Sequence, residues 1–165
     1  MIINIGDEQY EIRVGVGGIG YECIKEAPRA AKGWLGHCDV NIWGDGKFDF
    51  FPAKNDYSED GWLDAVEKMC KESGTEFIGY QYAGRQQQKR QIYLDLAGKA
   101  KCDFFIAIDT EEYIDPTWMN WDRFYTELTM LSKYTKERMF YQWVYIPSEE
   151  PVSYTHLTLP TILRV

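Results

Sequence analysis

The stretch from Gln86 to Pro116 constrains the chain most. Ile92, Leu96 and Ala100 recur at spacings of four, and Tyr93 and Ala97 widen the stripe, which predicts a helix over 86–100. Cys102 to Ile108, CDFFIAI, is too short for a buried helix and reads as an interior strand covered on both faces. The run stops at Asp109, Thr110, Glu111 and Glu112. A strand buried on both faces delivers its first polar residues at its carboxyl end, where open α/β sheets bind ligands. Carboxylates crowded there repel one another unless a cation or a buried proton relieves them. Magnesium and manganese suit such oxygen donors. The plain structural alternative is a solvated strand exit.

These residues, KRQIYLDLAGKAKCDFFIAIDTEEYI, resemble the segment of GT-A-type, family-2-like glycosyltransferases that carries the acidic DxD motif. In that family a basic residue opens the helix, and the following strand ends in two carboxylates that hold a divalent cation on a nucleotide-sugar diphosphate. The matching positions are Asp109 and Glu111 for the metal, with Lys89 and Arg90 at the helix head. Glu111 departs from the usual Asp by one methylene, so the ion sits further out or Glu112 shares it.

One domain with a sizeable core fits 165 residues. Aromatics make up 16%, which suits stacking surfaces for bases or sugar rings as well as cores. A formal charge of −8 argues against a nucleic-acid or anionic-membrane binder, so a phosphate ligand needs a local basic patch or a metal. Cys23, Cys38, Cys70 and Cys102 are dispersed in apolar surroundings and read as reduced, buried thiols, with a cytoplasmic setting. No run is long enough for a membrane span. Residues 152–165 begin with VSYTHLTLPT, which looks like translated read-through of a sequencing adapter. They lack Asp, Glu and Lys, so they are set aside as a non-native tail. The domain is then 1–151, an incomplete amino-terminal part expected to continue beyond Pro151.

Glu11 to Val16 alternates and enters the glycine run Gly15, Gly17, Gly18, Gly20, read as a first strand and its exit loop. GVGGIG matches the dinucleotide fingerprint, which keeps an NAD(P)-binding oxidoreductase as an alternative. Early Pro28 and the lack of an acid ending a second strand in the usual position weaken it. A short helix over 27–35, a second strand over 38–43 broken by Gly44, Asp45 and Gly46, and an aromatic loop over 48–57 follow. Ser58 looks like a helix cap, with Glu59 and Asp60 in the first turn. Trp62, Ala65, Val66, Met69 and Cys70 form the inner face of the next helix, which Gly74 stops. A third strand spans 76–82, and Gly84 and Arg85 lead into the central helix. Its basic head, Arg85 to Arg90, would sit beside the acidic turn, and cations are unfavourable at a helix amino end unless an anion joins them. An amphipathic helix over 118–136, with Trp121, Phe124, Leu128 and Leu131 inside, and an aromatic strand over 138–146 complete the pattern.

Alternating strands and helices predict an α/β fold, a mostly parallel sheet flanked by helices. The resemblance narrows this to the nucleotide-sugar half of a GT-A fold, truncated at the carboxyl end. It implies sugar transfer from a nucleoside diphosphate sugar to a hydroxyl of a glycan, lipid or protein. Asp109 and Glu111 would hold Mn2+ or Mg2+, and Arg85, Lys89 and Arg90 would meet the phosphates. Asp45 and the glycine loop around Gly17 would hold the nucleoside. The catalytic base is expected in the part that is missing. A non-catalytic α/β module is the second alternative.

Overall fold

A computed structural model describes residues 2–117, 119–134, 139–141 and 161–164. The chain opens with an antiparallel hairpin, β1 (Ile2–Ile5) and β2 (Glu8–Glu11). Then strands and helices alternate: β3 (Val14–Gly20), α1 (Glu26–Lys32), β4 (Val40–Asp45), α2 (Trp62–Ser73), β5 (Glu76–Gln81), α3 (Gln86–Lys99), β6 (Phe104–Ala107), α4 (Trp121–Tyr134) and β7 (Met139–Tyr141). The last described strand is β8 (Thr161–Arg164), which belongs to the segment set aside on sequence grounds.

The main sheet has the order β5-β4-β3-β6-β8-β7. Its first four strands are parallel, and β8 runs antiparallel to both β6 and β7. The pleat sorts side chains by parity. Val14, Val16, Trp43, Phe104 and Ile106 face one core with α1, α2 and α4; Val40, Ile42 and Phe105 face the other with Tyr93 and Ala97 of α3. Helix α2 is bracketed by Gly61 and Gly74, both left-handed, and buries Trp62, Val66 and Cys70.

Two sequence expectations change. The glycine run is not an exit loop, because β3 continues through Gly20 and every residue of it is buried. A Cβ on Gly17 would lie 1.7 Å from the carbonyl oxygen of Ile42, and one on Gly18 would lie 2.2 Å from that of Ile108. These glycines let neighbouring backbones close on β3. The second strand likewise runs on through Asp45 instead of breaking there.

The strand order also fixes where a ligand can enter. From β3 the chain steps outward to β4 and β5, then returns through α3 to β6 on the opposite side of β3. The connections therefore diverge between β3 and β6. A crevice outside the carboxyl ends of such strands is where open α/β sheets bind ligands.

Candidate functional site

The acidic turn follows β6 at this divergence point. The Glu112 N–H donates to the Asp109 carbonyl at 3.0 Å, and the Asp109 N–H donates to the Glu112 carboxylate at 2.9 Å. Glu112 is thereby turned back to brace the loop, which leaves Asp109, half-buried, and Glu111, exposed, as the outward carboxylates. Arg90 of α3 stands 3.5 Å from Asp109 Oδ1. The turn meets the end of β3 closely, since a Cβ on Gly20 would lie 3.1 Å from Thr110. Below the turn the chain is pinned to α1, with the Arg29 guanidinium 3.5 Å from the centre of the Tyr113 ring.

Thus Arg90 and Asp109 are brought together, with Glu111 two residues on. The other predicted residues stand apart from them. Arg85 is exposed and pairs with Asp49 at 3.6 Å. Lys89 is fully buried, donates to the carbonyl oxygen of Gly46, and sits 4.0 Å from the centre of the Phe48 ring. Burial lowers its pKa to about 8, with Asp45 and Asp49 opposing the shift. It is a strut between α3 and the loop after β4 rather than a free cation at the helix head. Gly17 lies inside β3, its Cβ space filled by β4 backbone.

Asp45 ends β4 and is only 2% exposed. Its carboxylate accepts from Ser58 Oγ at 2.6 Å, the Ser58 N–H at 3.1 Å, Trp62 Nε1 at 3.2 Å and Gln81 Nε2 at 3.4 Å. Ser58 therefore does not cap α2; it hangs the 46–61 segment on the end of β4. The β3–α1 loop joins the same network: the Glu22 N–H donates to Ser58 Oγ at 2.7 Å, and the Ile24 N–H donates to Asp60 at 2.8 Å. Sequence reasoning missed Ser58, Trp62 and Gln81 as partners of Asp45. The available signal was the indole of Trp62 at the start of a helix, a buried donor that needs an acceptor.

Three crystal structures of TarS from S. aureus share this architecture. The form spanning its residues 1–349 aligns with a TM-score of 0.58 at 13% identity, over 93% of this chain and 47% of that one. For TarS itself the values are 0.56 and 14%, over 93% and 28%. For the 1–349 form in complex with UDP they are 0.54 and 14%, over 93% and 47%. The shared fold is an α/β one, with a four-stranded parallel sheet flanked by helices. This chain spans about half or less of the length of those proteins, and at such identities the likeness carries the fold alone. No family model matches the chain, and no curated protein matches it significantly. Among the described residues, no helix is long and apolar enough to cross a membrane.

The oxygen donors at the turn suit a hard divalent ion, but among the described residues no three potential ligands converge on one point. A hard ion held here would take Asp109 and Glu111 as two donors and the rest of its shell from water or a ligand's own oxygens, as magnesium does on phosphates.

Proposed function

We propose that this chain is the nucleotide-sugar-binding part of a metal-dependent glycosyltransferase that transfers a sugar from a nucleoside diphosphate sugar to an acceptor hydroxyl. One observation carries the reading: a pair of outward carboxylates faced by an arginine stands at the divergence point between β3 and β6. In this reading Asp109 and Glu111 hold Mn2+ or Mg2+. The ion neutralises the charge that develops on the leaving diphosphate. Arg90, 3.5 Å from Asp109, would supply a guanidinium to the phosphate oxygens of a diphosphate bound at the turn. Lys89 and Asp45 act from beneath, by fixing the loop after β4. One of the TarS structures of this fold is in complex with UDP, which supports a nucleotide as the ligand to test here.

The oxidoreductase alternative loses its physical basis. A dinucleotide fingerprint presents free backbone N–H groups from a loop to the pyrophosphate, whereas this glycine run is paired with β4 and β6 inside the sheet.

Calorimetry with UDP and GDP, with and without manganese, tests the proposal. We expect binding that requires manganese, falls at least about tenfold in Asp109→Ala, and falls less in Glu111→Gln, in line with the loss of a charged contact. Metal-independent binding that is untouched in Asp109→Ala would refute the metal site.

A further inference from the structure

Residues 47–56 form a closed loop at the carboxyl end of β4. Its base is locked twice, by the Lys47 N–H donating to the Asp56 carbonyl at 2.8 Å and by the Lys47–Asp56 ion pair at 2.7 Å. Inside it, the Phe51 N–H donates to the Phe48 carbonyl at 2.8 Å. It is also tied on both flanks. Phe48 rests on buried Lys89 of α3, and Tyr21 of the β3–α1 loop donates its hydroxyl to the Asn55 carbonyl at 3.0 Å.

This well-anchored loop displays apolar rings. Phe50 is 80% exposed and Phe51 is 49% exposed. Each is backed on one side only: Phe50 is stacked on Phe48 with centroids 5.9 Å apart, and Phe51 meets Tyr21 edge-on at 5.6 Å. An ordered loop that holds two large apolar rings in water signals a binding surface. Within 47–56 two lysines, Lys47 and Lys54, balance two aspartates, Asp49 and Asp56, so the loop carries no net charge; Lys47 pairs with Asp56, and Asp49 with Arg85.

From this geometry we infer that the loop is a stacking platform for an uncharged sugar ring of the acceptor, with Phe50 as its main contact. The inference rests on the transferase reading above and adds the acceptor's chemical class. A pyranose presents a flat C–H face that an open phenyl face can cover, and its hydroxyls remain in water or reach nearby polar groups. A bilayer is disfavoured, because the rings are held back against Phe48 and Tyr21 and the chain carries a net charge of −8. The donor's base is the rival occupant, and a response of the Phe50 ring to UDP alone would identify it.

The test labels the phenylalanine rings of the whole chain with 13C and titrates cellotetraose, chitotetraose and mannotetraose, with UDP plus manganese in parallel. We expect one tetrasaccharide to move the Phe50 ring signal, identified by its loss in Phe50→Ala. That variant should bind the same saccharide about tenfold more weakly, and Phe50→Trp, which keeps a platform, should stay within about threefold of the parent. The inference is overturned if no tetrasaccharide moves the signal, if UDP alone moves it, or if Phe50 instead mediates recruitment to phosphatidylcholine vesicles. UDP binding without saccharide binding overturns the platform and leaves the transferase reading standing. Saccharide binding through Phe50 without UDP binding does the reverse.

Discussion

Lys89 and Asp45 show how a charged residue can serve a site without touching its ligand. Lys89 is a fully buried cation whose partners are a carbonyl and a ring. Below about pH 8 its amine is charged in both the folded and unfolded chain, so the folded state bears the full cost of burying that charge. Between about pH 8 and the ordinary lysine value of 10.5, the folded protein has released a proton that the unfolded chain still binds, so stability rises with pH in that window. The whole difference is on the order of 3 kcal/mol. Lys89→Met removes the charge and keeps the stem. It should be at least as stable as the parent at pH 7, with an advantage that shrinks towards pH 10, as read from urea midpoints at several pH values. A parent that is more stable at every pH would mean that the contact with Phe48 outweighs desolvation. For Asp45, removal strands the Trp62 and Ser58 donors, so Asp45→Ala should cost about 2–4 kcal/mol in urea unfolding, and Asp45→Asn less. If Asp45→Ala left stability intact but weakened UDP binding, the carboxylate would be reading the nucleoside after all.

Among the elements, β3 carries the sharpest prediction. Gly17→Ala puts a methyl against the Ile42 backbone, which can yield only by parting β3 from β4. It should cost about 3 kcal/mol or more, or prevent folding. Gly15→Ala meets the side chains of Cys102 at 2.9 Å and Phe105 at 3.0 Å, which can shift, so about 1–2 kcal/mol is expected. Urea unfolding of the two variants side by side checks the order. This strand also shows why part of the fold was hidden in the sequence. Glycine makes loops and also lets backbones approach, and spacing alone does not separate the two uses. Where periodicity was clear, the elements were legible: α3 and β6 lie within two residues of their predicted spans, and α2 buries the predicted Trp62, Val66 and Cys70. The acidic turn was legible because a buried strand must end somewhere polar. Ser58 misled because a serine followed by acids before a helix looks the same whether it caps that helix or reaches sideways to Asp45. Lys89 misled because a cation at a helix head suggested a phosphate contact, although it shares one face of α3 with Tyr93 and Ala97. The β1–β2 hairpin went unread, although Ile3 and Ile5 alternate with polar residues up to a Gly6-Asp7 turn. Within the predicted strand over 138–146, Met139–Tyr141 forms β7 and the rest lies outside the described residues.

At the scale of the molecule, two cores share one sheet. Cys23, Cys38 and Cys70 belong to the core under α1, α2 and α4, and Cys102 to the core under α3. All four are free and buried, as their dispersed positions suggested. Burial pushes the Cys70 and Cys102 thiols up to about 11 and the Cys23 thiol to about 12, and Cys38 also rises. At pH 8 the native protein therefore presents almost no thiolate, and an aromatic disulfide reagent reaches these residues through opening of the fold. The parity of β3, β4 and β6 sends alternate residues of each strand to opposite cores, so neither core can be lost while the other keeps its strands in place. Labelling at pH 8, followed by mass spectrometry of each cysteine peptide, should then give one common rate for Cys70 and Cys102, rising in parallel with urea. Faster labelling of Cys102 alone would mean that α3 lifts from the sheet by itself. That motion would carry Lys89 and Arg90 with it, and the anchored loop and the arginine facing Asp109 would then be features of a closed state that binding has to secure.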